Sequence, residues 1–290
     1  MRLMLPLLLL VSPTLLIAQD KSPVPDADAI KDAESLIQEV FKDEFDKATT
    51  PSQMSALAEM LLQQGLETKN DAAGRYTLFS KARDLAIESG NPTLTMKVIE
   101  EIGTSYSVDV VKAKAGSLRL LEASTRFSTQ KKELAATALG LADELIAVSD
   151  FDSARQVSQI AIAAARDSRD AALIADATGR NESIEKLWLS FSKVKPAMKT
   201  LETQPTDSEA NQTVGKFLCF LQGDWKKGLP MLALGKDTSL SKAASMELAG
   251  ANEPSTQAEL GDLWYEIADD YEGVERRAIQ GRAALWYGMA

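Results

Sequence analysis

Histidine is absent from this 290-residue chain, and cysteine occurs once, as Cys219. Without imidazole the commonest general base and the commonest metal ligand are missing, and neither a Ser-His-Asp nor a Cys-His arrangement can form. A single cysteine rules out an internal disulfide, so packing alone must hold the fold. Cys219 sits in Phe217-Leu218-Cys219-Phe220-Leu221, which reads as a small buried apolar position. No base or cation beside it in sequence marks a reactive thiol. Aromatics are only 6% of residues, and Val and Ile are too scattered to suggest sheets. The formal charge is −10, with no basic stripe. That composition excludes nucleic acid and an anionic membrane surface as natural partners.

Long apolar runs are scarce too. The one candidate, residues 3–17, is interrupted by Ser12, Pro13 and Thr14, and it falls short of the roughly 20 residues that a spanning helix needs. Arg2 precedes it, and Leu16-Ile17-Ala18 puts a small residue just before Gln19. The pattern is that of a secretory signal peptide, residues 1–18, cut after Ala18. It predicts a secreted or periplasmic, cell-envelope protein without stable membrane insertion. Residues 19–26, with two prolines, read as a disordered tether.

What is present is helix-forming. Ile30, Ala33, Leu36, Ile37, Val40 and Phe41 recur at three and four residues, which predicts an N-terminal capping helix over 27–48. Thr50-Pro51-Ser52-Gln53 is a helix start with a capping box, opening a helical region over 49–204. Its first pair carries Phe79-x-x-Ala82 on the second helix. A second pair spans about 93–124, and a third about 131–166 with a turn at Ser149-Asp150-Phe151-Asp152. In the fourth region, about 170–203, Asn181-Glu182 reads as a turn and Pro196 as a break or kink. Residues 205–290 hold the remaining units, with Gly223-Asp224-Trp225 as a turn and Pro254 opening the last.

One phrase recurs. Ile102-Gly103-x-x-Tyr106 is followed by Ala115. Leu141-Ala142-x-x-Leu145 is followed by Ala154 and Ala161. Gly215 and Cys219 are followed by Gly228 and Gly235, and Leu260-Gly261-x-x-Trp264 begins the phrase again. An alanine or glycine at a helix crossing lets two backbones approach while a larger side chain fills the gap. The chain thus resembles tetratricopeptide and Sel1-like repeat proteins. The stretch from Pro205 through Gly228-Leu229-Pro230, with Asp262, Trp264 and Ala283-Ala284-x-Trp286-Tyr287, is similar to a helical-repeat module of large exported planctomycete bacterial proteins. The resemblance implies an all-α fold, a right-handed α-solenoid of antiparallel helix pairs, and it supplies no activity. The apolar stripe at 281–287 reads as a last helix without a polar cap, open to self-association or to more chain.

In tetratricopeptide arrays the first helix of each pair lines the concave face. Carrying the offsets over places Gln212, Lys216 and Phe220 there, then Glu259, Asp262 and Tyr265, with Glu100 and Asp143 earlier. Such a face is a groove for a protein or peptide segment, and its acids suit a basic partner. Asp43-Glu44-x-Asp46 lacks the alternating ligands and glycine of a calcium loop. Carboxylates are plentiful, but no spacing selects a catalytic pair. Trp225 and Trp264 read as core fillers. The expectation is an exported, non-enzymatic interaction or scaffolding module with no metal or cofactor. The alternative is an N-terminal scaffold of a larger envelope enzyme or carbohydrate-binding protein.

Overall fold

A computed structural model describes residues 21–290; the predicted signal peptide lies outside them. Among the described residues the chain is all-helical, with fourteen α-helices and no strand. An isolated bridge joins Ser22 to Tyr106. The Ser22 amide donates to the Ser105 carbonyl (3.0 Å), and the Ser107 amide donates to that of Ser22 (2.9 Å). The described end of the expected tether is therefore pinned to the chain.

The fold divides into two compact units at Leu134. The first contains α1 (Ala27–Val40), α2 (Lys42–Lys47), α3 (Pro51–Glu67), α4 (Ala72–Glu88), α5 (Pro92–Ser105) and α6 (Val110–Ser124). Each of α1, α3, α4, α5 and α6 starts where a side chain satisfies an otherwise orphaned amide, the acceptors being Asp26, Thr50, Asp71, Asn91 and Asp109. The capping box of Thr50 and Gln53 is formed as expected. Helices α3 and α4 pack together, α5 packs on α4, and α1 lies against α4. Phe79 and Ala82 are fully buried. The Phe79 ring lies over Gly65, where an added Cβ would stand 2.6 Å from it.

The second pair keeps its helices but departs from the expected phrase. Ala115 is only half-buried. The close approach falls instead at Gly103, whose missing Cβ leaves room for Val110. Tyr106 ends α5 and is buried, and its hydroxyl donates to the Ala72 carbonyl at 2.7 Å.

The boundary at Leu134 falls inside α7 (Ser128–Ala147). The second unit continues with α8 (Phe151–Ser168), α9 (Ala171–Thr203), α10 (Ser208–Lys216), α11 (Trp225–Ala233), α12 (Thr238–Ala249), α13 (Pro254–Ile267) and α14 (Gly273–Tyr287). Helix α10 runs on into a π-helical turn, Phe217–Leu221. Leu141, Ala142, Leu145, Ala154 and Ala161 are all buried, as the repeated phrase requires. The turn before α11 is made by Gly223 at φ +71°, a conformation that glycine adopts without cost.

The expected turn at Asn181-Glu182 is absent: α9 is one 33-residue helix with Pro196 inside it. Asn181 does not cap anything. Its carboxamide oxygen accepts from the Ser158 hydroxyl at 2.8 Å, so the side chain is used in packing α9 on α8. Ala177, Ile184 and Val194 stay buried along one side, and that continuous contact with α8 outweighs the local turn signal. Proline forfeits one intrahelical bond, and the flanking turns hold the helix together.

Candidate functional site

The sequence-selected residues of α10 to α14 separate into two groups. In the first, Gln212 is half-buried, and its side-chain oxygen accepts the Asp237 amide at 2.8 Å. It therefore fastens the start of α12. Lys216 places its ammonium 5.1 Å from the centre of the Tyr271 ring. Phe220 is 2% exposed and packs against Trp225 and Tyr271. These three residues tie helices together, and Phe220 presents nothing to solvent. The π turn accounts for this, because it carries Phe217, Cys219 and Phe220 into the core together.

The second group stands on the solvent side of α13, where Glu259, Asp262 and Tyr265 are exposed. Their spacing of three and three keeps them on one face. Tyr287 of α14 joins them. Its ring lies over Gly261, where a Cβ would come within 2.6 Å, and its hydroxyl donates to the Asp262 carboxylate at 2.7 Å. That bond, with smaller contributions from desolvation and from Asp262, Tyr265 and Glu266, pushes the Tyr287 hydroxyl up to about 12. Tyr265 is 53% and Tyr287 42% exposed. The result is a surface of two tyrosines among carboxylates. Tyr287 was not among the expected site residues. Its available signal was Gly261 beside Asp262, a gap on α13 able to seat a ring from α14.

Beneath this face lies the most concentrated chemistry of the described chain. Glu247 of α12 is buried, and one carboxylate oxygen accepts the indole N–H groups of Trp264 and Trp286, both at 2.9 Å. Arg282 donates to both of its oxygens. The Arg282 guanidinium in turn lies 4.8 Å from the Trp225 ring centre. Charge pairing and four N–H donors offset the cost of desolvating the carboxylate. Every partner is structural, so the cluster binds α12, α13 and α14 to one another. Trp264 is fully buried, a core filler with its polar tip used. On α14 the apolar stripe partly faces this core, through Ala283 and Trp286, one turn after the buried Ile279.

Cys219 is fully buried, and desolvation above all, with Glu247 nearby, pushes its thiol up to about 12. A protonated, enclosed thiol is a packing group. The earlier acids are also engaged. Glu100 pairs with Lys114 at 2.9 Å and Asp143 with Arg180 at 2.8 Å. Among the described residues no group of three or more Cys, Asp or Glu is placed to hold a metal ion, and no helix is long and apolar enough to cross a membrane. Comparison with protein-family models, curated proteins and solved structures gives no match.

Proposed function

We propose that this chain is an exported, non-enzymatic helical-repeat module of tetratricopeptide-like solenoid type, which binds or scaffolds a protein partner through the α13–α14 face. The observation that carries the reading is the grouping of Tyr265 and Tyr287 with Asp262 and Glu259 on an exposed helix face. Tyrosine offers large contact area at low conformational cost and is enriched at interfaces. The carboxylates around it favour a partner with basic side chains and speed its encounter. The repeated small-residue phrase supports the solenoid reading, and the N-terminal pattern supports export.

The test is site-specific photo-crosslinking in envelope extract, with the crosslinking residue at position 265 and, as a control, at the exposed Lys186. The expected result is a protein captured from position 265 alone and lost when Asp262→Lys is added. Equal capture from both positions, or none from 265, would refute the proposed face.

A further inference from the structure

We infer that the groove between α1 and the α3–α4 pair, in the first unit, docks a cationic amphipathic segment of a partner protein. The site is distinct from the α13–α14 face and does not depend on it. Helix α1 buries only Ile37 fully. One turn apart on the same helix, Leu36 and Val40 are 59% and 63% exposed. With Phe41, Leu78, Gln64 and Asp71 they line an open depression of about 310 Å³. Single exposed leucines are ordinary, but adjacent apolar side chains at the mouth of a concave apolar cleft form a docking geometry.

Charge selects the occupant. Asp32 and Glu39 lie four before and three after Leu36, on its side of the helix, and Asp71 is part of the lining. Lys31 falls on the far side of α1 by the same spacing, and Lys81 is held by Glu34 at 2.9 Å. Three cations, Lys42, Lys69 and Arg75, directly follow the lining residues Phe41, Thr68 and Gly74 in sequence, and Lys42 is itself followed by Asp43 and Glu44. Across α1 and α2, seven acids face three lysines. A second copy docked through this helix would bring two acidic helix faces together, and an anionic lipid surface would meet the same repulsion. A segment with two apolar side chains one turn apart, flanked by Lys or Arg, meets neither obstacle.

The probe is a fluorescent synthetic peptide of about three helical turns, with leucines at helical spacing and lysines flanking them. It is titrated into the full chain and followed by anisotropy. Binding is expected, weakening with salt. Leu36→Gln with Val40→Gln should lower affinity about tenfold or more, although neither change alters charge. Glu39→Lys should also lower it, whereas Tyr265→Ala should leave it unchanged. Both groove residues are exposed, so the helical circular dichroism should persist. Hydrogen-exchange protection of α1 by the peptide in the parent chain provides a reading that needs no variant. The inference is overturned by any of four results: no binding, binding indifferent to the double change, equal binding of a leucine–glutamate peptide, or a chain dimer that dissociates on the double change.

Discussion

The cores of the two units solve the same packing problem in different ways. In the first, α3, α4 and α5 meet through Leu57, Leu61, Leu62, Leu78, Phe79, Val98 and Ile102, with Phe79 seated over Gly65. Nothing in that set carries a charge. In the second, α11 to α14 enclose Leu232, Leu240, Leu260 and Ile279, but at their centre the carboxylate of Glu247 holds Arg282, Trp264 and Trp286. An apolar core is non-directional and tolerates repacking. A buried ion pair with fixed N–H donors works only in one arrangement of its helices. The second unit thus gains definition of position and takes on vulnerability to the loss of any one member.

The sharpest way to break this contrast is Glu247→Ala. It leaves two buried indole N–H groups and a half-buried guanidinium without their acceptor, and should cost about 3 kcal/mol. Urea unfolding followed by tryptophan fluorescence would register the loss, and a cost under about 1 kcal/mol would show that the cluster does not hold the helices. Gly228→Val comes next. Its side chain would collide with Cys219 Sγ and approach the Gly215 carbonyl, an overpacking worth about 1–3 kcal/mol. Thermal unfolding should show it, and adding Cys219→Ala should return part of the loss.

The opposite sign is expected at Gly281, an exposed helical glycine with open space at its Cβ position. Gly281→Ala should stabilise by about 0.5–1 kcal/mol. If it destabilises, something already covers that side of α14. The smallest effect concerns Tyr287, whose hydroxyl is held up at about 12 in the fold against an ordinary 10. A group raised on folding adds stability that is complete below its unfolded value and is lost as pH rises through the folded one. The Tyr287–Asp262 contact should therefore persist at neutral pH and fail between about 10 and 12. The alkaline difference spectrum of Asp262→Asn should show one tyrosine ionising earlier than in the parent.

Helix starts were the most legible features in the sequence. Thr50, with Pro51 and Gln53, reads as a helix start and caps α3, because capping is a local bond between residues two or three apart. Asp26, Asp71, Asn91, Asp170 and Asp237 cap their helices in the structure by the same kind of bond. The candidate site was legible only in part. Glu259, Asp262 and Tyr265 follow one helical period and are exposed. Extending the same offsets to Phe220 failed, because the π turn rotates the face that the period assumes. At Asn181 a local turn signal lost to continuous packing of α9 on α8.

By itself, then, the sequence determined the helical class, the placement of most helix ends and the small residues that allow helices to meet at Gly103, Gly228 and Gly261. These follow from hydrogen bonds and periodicities that span a few residues. Only the tertiary structure decided that Glu247, Trp264, Arg282 and Trp286 share one buried cluster, that Tyr287 reaches Asp262, and that Leu36 and Val40 remain uncovered beside Leu78. Those partners lie 17 to 42 residues apart in the chain, and their meeting depends on how whole helices pack.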